Sequence, residues 1–289
     1  MSRPARAPQD PRTPTLSVAL ITWNEEARLP TALASVRYLA DEIVVVDSGS
    51  TDGTEAVARA WADRFEVREW DGFGHQKARA MGLATGDWVL SLDADEAVSD
   101  ELAGEIRRVL RDPGSTVGYW VHLKTWMLGR WFGTRSWWRE WKLRLARRDC
   151  LRVVNPQVHE KLEVDGPTER LSGPLLHYHD RGLAHELDRI DRYSTLAAEQ
   201  LLDRGDAWPG PWTAVGRAFT YGLQRYLVQG SFLYGGAGAA DAGLRALYGF
   251  LKYAKAWDRV RDMGDPPGPP NPSSAPPAPG SPAAPSDEP

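Results

Sequence analysis

Cysteine is almost absent from this chain, which has only Cys150 among its 289 residues. A single cysteine excludes an internal disulfide and any cysteine-rich zinc site. No motif surrounds Cys150, so we expect a small buried hydrophobic residue rather than a nucleophile. The composition therefore predicts a fold that depends on its hydrophobic core, in a reducing compartment.

Long hydrophobic runs are also missing. No stretch offers the roughly 18 uncharged apolar residues of a transmembrane helix. The nearest approach, the charge-free run at residues 226–240, is shorter and contains four glycines, which predicts a helix break. Residues 1–14 lack the apolar core of a secretory signal and are expected to be a disordered leader. These features predict a cytoplasmic protein.

The chain also lacks a large excess of charge of either sign. The formal net charge is −4, and three of the acidic residues lie in the segment 264–289, which has no Lys or Arg. Without these three the charge is −1, so no overall field favours nucleic acid as a partner. The same segment has eleven prolines and no aromatic residue, which predicts disorder.

Buried strands alternate with helices in the first part of the chain. Apolar runs predict strands at 16–21, 43–46, 65–70 and 88–92, and helical spacing of apolar residues follows each of them. Such alternation predicts an α/β fold with a mostly parallel sheet flanked by helices. Ligands of such sheets bind beyond the carboxyl ends of the strands.

The texture changes after Gly118. Further strands are predicted from Tyr119 to Val164, followed by helices at 183–202, 212–227 and 244–260. We therefore divide the chain into a leader, a nucleotide-sugar-binding half, an acceptor-side half, a helical segment and a Pro-rich disordered tail. The predicted boundaries are 1–14, 15–118, 119–182, 183–263 and 264–289.

Acidic residues follow the fourth predicted strand directly, as Asp93-Ala94-Asp95-Glu96. Two carboxylates one residue apart at a strand end can hold Mg²⁺ or Mn²⁺ and thereby neutralise a diphosphate leaving group. The alternative is a solvated cluster at a helix start, where Asp and Glu are favoured.

Two further loops carry polar residues after predicted strands. One is Asp47-Ser48-Gly49-Ser50-Thr51-Asp52-Gly53-Thr54, in which Asp47 can accept from a base or ribose and Asp52 can brace the loop. The other is Thr22-Trp23-Asn24-Glu25-Glu26, in which Trp23 can stack on a base or sugar or simply pack. Three such loops on one sheet edge predict a nucleotide-sugar site.

The chain resembles family 2 glycosyltransferases of GT-A fold, and most closely their lipopolysaccharide-core glucosyltransferase-like branch. The similarity covers about Thr15 to Trp257. The pieces that carry it are Ile21–Glu26, Ile43–Thr54, Thr85–Trp88, Leu92–Glu96, Arg144-Leu145, Val158–Glu160, Gly173–Tyr178 and Tyr193–Glu199.

The resemblance implies an inverting transfer of a hexose from a UDP-glucose-like donor to a glycan or lipid-linked acceptor, with Mg²⁺ or Mn²⁺ as cofactor. By this resemblance Asp47 binds the nucleoside, whereas Asp93 and Asp95 serve ribose, diphosphate and metal. Lys77 supplies a phosphate-facing charge, although the family's following Asn is replaced here by Ala78. The full predicted donor-binding set is Thr22, Trp23, Asn24, Glu25, Asp47, Asp52, Lys77 and Asp93.

Three alternatives stay open. A polyprenyl-phosphate sugar synthase differs only in its acceptor, and a non-catalytic nucleotide-sugar-binding protein would keep the same loops. An Asp-nucleophile phosphatase also places Asp-x-Asp after a strand, but it leaves the Asp47 loop without a role.

Inversion requires a general base for the acceptor hydroxyl. Glu160, beside His159, and Glu140, ahead of Arg144, are the two candidates, with Glu160 preferred. His177 and His179 alternate on a predicted strand, so they share a face, and we select His179 to join Asp93 and Asp95 as a metal ligand.

The helix at 244–260 carries a basic face beside an apolar one. Its cations are Arg245, Lys252, Lys255 and Arg259. Such a helix suits an anionic membrane surface, although a plain solvated face is the alternative. With the lipid-linked acceptor, it predicts a peripheral protein on the inner face of the cytoplasmic membrane.

Overall fold

The computed structural model of the chain describes residues 13–133, 140–154, 161–179, 182–203 and 210–262. Within these ranges the strands are β1 (Leu16–Thr22), β2 (Glu42–Asp47), β3 (Arg64–Val67), β4 (Trp88–Asp93), β5 (Glu96–Val98), β6 (Gly118–Met127), β7 (Arg130–Phe132), β8 (Trp141–Arg147), β9 (Leu151–Val154), β10 (Lys161–Val164) and β11 (Thr168–Tyr178). The α-helices are α1 (Leu29–Val36), α2 (Thr54–Trp61), α3 (Phe73–Leu83), α4 (Asp100–Arg111), α5 (Leu183–Asp203), α6 (Pro211–Leu223) and α7 (Gly236–Asp262).

One large mixed sheet organises the described strands. Its order is β3-β2-β1-β4-β8-β6-β11-β5, with β7 paired to β6, while β9 and β10 form a separate two-stranded antiparallel sheet. β1 to β4 are mutually parallel, β8 runs antiparallel between β4 and β6, and β11 is parallel to β6. The predicted α/β class with a mostly parallel sheet is confirmed.

Both faces of the sheet are covered, as the unbroken apolar runs of β1 and β2 require. Val18, Leu20 and Val45 belong to one core with residues of α1 and α4. Ala19 and Val44 belong to a second core with residues of α3. Because side chains alternate along a strand, every second residue faces each core. The sheet is thereby fixed between two helical layers, with its strand ends at the edge.

Several boundaries differ from the prediction. No strand was predicted at Glu96–Val98, where β5 pairs antiparallel with β11, with Ala97 opposite Leu176. A strand of three residues is set by its tertiary partner and leaves no periodicity in the sequence. β3 ends at Val67 rather than at residue 70. Gly230 and Gly235 do interrupt the helices at positive φ, but α7 begins at Gly236, eight residues before its predicted start.

The described chain divides into two compact units. The first extends to His185 and also contains Leu223–Gly243, whereas the second contains Glu186–Gly222 and the chain from Leu244 onward. The large sheet lies in the first unit. In the second, Lys255 of α7 contacts Asp191 of α5 at 2.6 Å. Among the described helices, none is both long and apolar enough to cross a membrane.

Candidate active site

The carboxyl ends of β1, β2 and β4 bring the predicted donor-binding loops together. In the parallel ladder Thr22 lies opposite Asp47, and Ile21 lies opposite Asp93. The two aspartates therefore flank the end of β1 at one sheet edge. This is the position at which ligands bind in open α/β sheets.

The loops after β1 and β2 are hydrogen-bonded to each other. Asn24, at a φ of 52°, donates its backbone N–H to Ser50 Oγ at 2.9 Å, and its Oδ1 accepts from the Thr51 N–H at 2.8 Å. The Glu25 N–H donates to Thr54 Oγ1 at 2.7 Å. Asparagine is among the few non-glycine residues that adopt this left-handed conformation readily. The two loops therefore form one bonded structure.

Asp52 and Glu26 complete this interlock. Asp52 accepts from the backbone N–H of Thr54 at 3.0 Å and of Glu26 at 3.2 Å. Glu26 Oε2 in turn accepts from the Gly53 N–H at 3.0 Å, and a Cβ at Gly53 would collide with that carboxylate. Asp52 thus braces the loop. Direct contact of Asp52 with the donor, like that of Asn24 and Glu25, stays a prediction.

Asp47 is buried and organises its own loop. Its carboxylate accepts from the backbone N–H groups of Gly49 (2.9 Å) and Ser50 (2.7 Å) and from Ser50 Oγ (2.5 Å). Gly49 has a φ of 84°, a conformation that glycine adopts without a steric cost. These bonds fix the turn through which Asp47 would meet a nucleoside.

Thr22 and Trp23, at the same edge, each offer a group that a ligand could contact. Thr22 Oγ1 is buried and makes no hydrogen bond within the described part of the chain. A buried hydroxyl without a partner is unusual, because it loses its hydrogen bonds to water and gains none within the protein. Trp23 is 59% exposed, which leaves its indole face open for stacking.

A buried charge cluster lies beside β4. Asp93 contacts Lys77 Nζ at 3.0 Å and Arg144 Nη2 at 2.8 Å. Arg144, only 4% exposed, also pairs with Glu96, which is 2% exposed. Glu96 Oε2 accepts from the Asp93 backbone N–H at 3.0 Å. One guanidinium therefore joins the first and last carboxylates of the Asp-Ala-Asp-Glu segment.

The two carboxylates of this cluster differ in acidity. Burial opposes the ionisation of Asp93, but the charges of Arg144 and Lys77 outweigh it and hold the pKa of Asp93 well below its usual value. Burial raises the pKa of Glu96, and Arg144 offsets this only in part because the Asp93 charge acts in the opposite direction. Asp93 is thus firmly anionic, whereas Glu96 depends on Arg144 to ionise.

Asp95 pairs with His177, which in turn lies beside His179. His177 Nε2 is 3.4 Å from Asp95 Oδ2, and the His177 and His179 rings have their centroids 5.2 Å apart. Burial opposes protonation of His177, but Asp95 outweighs it and raises the pKa of His177. The predicted shared face of the two histidines is therefore present. Within the described ranges, no three His, Cys, Asp or Glu side chains are close enough to form a metal site by themselves.

The two base candidates differ in what the structure shows. Glu160 lies outside the described residues. Glu140 precedes β8, which runs antiparallel to β4, so it lies toward the sheet edge that carries Asp93. Its carboxylate is exposed and 3.3 Å from Lys142 Nζ.

Sequence reasoning did not assign roles to Arg144, Glu96 and His177 in the site. The available signal was an arginine inside the otherwise apolar segment Leu143–Ala146. A buried arginine in a central strand requires a carboxylate partner. The Asp-Ala-Asp-Glu segment at the neighbouring strand end supplies two of them.

Comparisons with known proteins identify the family of the chain. The glycosyl transferase family 2 model matches residues 17–162. A lipopolysaccharide core biosynthesis glycosyltransferase, LpsC, from Rhizobium meliloti (strain 1021) is 31% identical over 256 residues, which are 86% of this chain and 94% of that protein. An uncharacterized glycosyltransferase from Rickettsia typhi is 27% identical over 259 residues, covering 83% of this chain and 86% of the relative.

Solved structures include similar chains at lower identity. A mannosyltransferase from Pyrobaculum calidifontis, in complex with GDP-Man and Mn²⁺, has a TM-score of 0.46 and 20% identity, covering 88% of this chain and 90% of its own. Glucosyl-3-phosphoglycerate synthase from Mycobacterium tuberculosis has a TM-score of 0.40 and 21% identity over 60% of this chain and 73% of its own. The family match and the full-length relative show that the chain belongs to glycosyl transferase family 2 and is a glycosyltransferase.

Proposed function

We propose that the protein transfers a hexose, with inversion, from a UDP-glucose-like donor to a saccharide acceptor of the lipopolysaccharide core or a related envelope glycan. The observation that supports this proposal is that the Asp47 loop and the segment from Asp93 to Asp95 follow strands that end at the same edge of the sheet. The relative from Rhizobium meliloti, named for lipopolysaccharide core biosynthesis, supports the acceptor class.

The donor is expected to lie across the ends of β1, β2 and β4. The buried Thr22 hydroxyl and the interlocked Asp47 loop offer polar groups to the nucleoside, and Trp23 offers an exposed ring. Lys77, held against Asp93, brings a cation to the diphosphate side. These groups are in place before the ligand arrives, so little reorganisation is needed on binding.

The site fits a divalent cation through Asp95. Asp93 is already paired with two cationic side chains, those of Lys77 and Arg144. Asp95 is therefore the aspartate better placed to act as a metal ligand. His177 or His179 would add an imidazole, which Mn²⁺ accepts, and the diphosphate would supply further oxygens. When bound, the cation neutralises the charge that develops on the departing diphosphate.

Inversion requires one displacement, in which a carboxylate takes the proton of the acceptor hydroxyl as that oxygen attacks the anomeric carbon. We assign this role to Glu160, with Glu140 as the second candidate. The Glu140 carboxylate is exposed, as a base that meets an incoming acceptor must be, and lies 3.3 Å from Lys142 Nζ.

A lipid-linked acceptor would bring the enzyme to an anionic membrane surface, and we propose peripheral binding there. Lys255 and Arg259 of α7 pair with Asp191 and Glu199, so the basic stripe supplies less free charge than its sequence suggests. α6 supplies a stronger feature. Its Trp212 (83% exposed), Val215 and Phe219 follow helical spacing, and the helix has one cation and no acid.

Vesicle co-sedimentation tests this surface. The native protein should bind vesicles that contain phosphatidylglycerol and be released by salt, and Trp212→Ser with Phe219→Ser should abolish binding. Equal binding by the native and doubly substituted proteins would remove α6 from the interface.

Donor screening tests the proposed reaction. Release of nucleotide from UDP-, GDP- and ADP-hexoses should be measured with a deacylated lipopolysaccharide core as acceptor, and the anomeric configuration of the product read by NMR. A β-linked product from an α-linked donor is expected. A product that retains the donor configuration would exclude the single displacement, and no release from any donor would exclude the activity.

A further inference from the structure

A cavity opens next to Asp95, beyond the end of the loop that follows β1. Its walls come from the start of α1, from the residues around β5, and from β6 and β11 where they lie side by side. The side chains that give it its chemistry are Arg28, Asp95, Trp126 and Tyr178, beside the small residues Ala27 and Ala32. Among the residues predicted to serve the donor or its metal ion, Asp95 lines the cavity, whereas Thr22, Trp23, Asn24, Glu25, Asp47, Asp52, Lys77 and Asp93 do not.

The aromatic wall of this cavity is held rigidly. Trp126 and Tyr178 are paired in the parallel ladder of β6 and β11. Trp131 of β7 packs edge-on against both, with ring centroids at 5.3 Å from Trp126 and 5.5 Å from Tyr178. Lys124 Nζ lies 5.3 Å from the Trp131 ring centre, on the same strand as Trp126. The rings of this wall therefore have few alternative positions and need no ordering when a ligand binds.

The rest of the lining is polar and carries both signs of charge, and Asp95 lies beside Tyr178, whose backbone N–H donates to the Asp95 carbonyl at 2.8 Å. Arg28 Nη1 contacts Glu25 at 3.0 Å, which uses one of five N–H groups that a guanidinium can donate. Asp95 presents a carboxylate that accepts hydrogen bonds. Side chains that donate and accept hydrogen bonds, in one cavity with aromatic rings, match a pyranose ring. The ring has hydroxyls around its rim and C–H groups on its faces.

We propose that this cavity binds the acceptor, as a hexopyranose ring stacked on Trp126 with its hydroxyls toward Arg28 and Asp95. The assignment rests on the proposed glycosyl transfer. The acceptor is favoured over the donor sugar because the cavity shares Asp95 with the predicted metal ligands but no residue with the predicted donor set. A ring there lies next to the diphosphate side of the site and outside the nucleoside loops.

Saturation-transfer NMR tests binding without turnover. The probes are methyl glucoside, methyl galactoside and methyl mannoside, each offered to the full chain with UDP and Mn²⁺. The native protein should transfer saturation mainly to ring C–H protons of at least one of them. Trp126→Ala should raise the dissociation constant of that glycoside roughly tenfold, since stacking on an aromatic ring is worth about this much. Trp126→Phe should recover most of it.

Trp70→Ala is the matched control. Trp70 is a half-exposed tryptophan of the same unit that packs on Phe73 and does not line the cavity, so its removal should leave glycoside binding unchanged. UDP affinity, measured by calorimetry, should be unchanged in Trp126→Ala, which also shows that this variant is folded.

Steady-state kinetics show whether the cavity binds the acceptor sugar or the sugar of the donor. With an accepted glycoside, Trp126→Ala should raise the acceptor KM and leave the donor KM within about twofold. A raised donor KM alone would place the donor sugar in the cavity and overturn the proposal, as would a native protein that binds UDP but none of the glycosides. Failure of the proposed function differs from both, because the native protein would then release no nucleotide from any donor.

Discussion

Arg144 can be tested as the centre of the charge cluster by replacing it with methionine. The side chain is 4% exposed and lies between Asp93 at 2.8 Å and the almost fully buried Glu96. Methionine fills a similar volume but leaves Glu96 buried without a cation, while Asp93 keeps Lys77. Breaking one side of a buried ion pair typically costs about 3–5 kcal/mol of the free energy of unfolding.

The sign of the pH dependence follows from Glu96. Its pKa in the folded chain is already raised above 4.5, and loss of Arg144 removes the charge that opposes the rise. A carboxyl whose folded pKa is raised contributes full stability below its unfolded pKa and loses stability as the pH rises through the folded pKa. The deficit of Arg144→Met should therefore be larger at pH 8 than at pH 5, by about 1.4 kcal/mol for each unit of additional pKa rise.

Urea denaturation followed by tryptophan fluorescence, in EDTA at both pH values, measures this deficit. Arg144→Met with Glu96→Gln should recover most of the loss and most of its pH dependence, because the amide can still accept from the Asp93 N–H. Arg144→Lys should be intermediate, since lysine keeps the charge but cannot bridge two carboxylates. A deficit below about 1 kcal/mol, or one equal at pH 5 and pH 8, would refute the assigned role of Arg144.

Three further predictions concern the reaction. EDTA should abolish transfer and Mn²⁺ or Mg²⁺ restore it, and Asp95→Ala should lower kcat about 10²-fold or more; full activity in chelator would contradict a metal role. Asp47→Ala should weaken nucleotide binding in calorimetry, and unchanged UDP, GDP and ADP affinities would leave Asp47 purely structural. Glu160→Gln should depress kcat strongly while donor binding stays nearly intact, whereas the same result for Glu140→Gln instead would exchange the two assignments.

Much of the fold could be predicted because buried parallel strands are recognisable in the sequence as apolar runs. The runs around Val18, Val45 and Leu90 each became a strand of the sheet. The strand ends then located the acidic loops without any tertiary information. β5 could not be predicted, since its three residues are strand only through pairing with β11.

The contacts inside the site depend on tertiary structure in the same way. The sequence shows two histidines that alternate, but not that the His177 ring, rather than the one two residues later, approaches Asp95. Nor does it show that Arg144 reaches two carboxylates about 50 residues earlier in the chain. Such pairings depend on which strands become neighbours, and the order β4-β8-β6 is set by the whole sheet.

The interlocked loops after β1 and β2 also have a kinetic meaning. Because Asn24, Ser50 and Thr51 bond the loops directly, neither loop can open without breaking bonds to the other. The two loops should therefore move together when a donor binds or leaves. A substitution at Asn24 should instead act at a distance, since it would release the turn that holds Asp47.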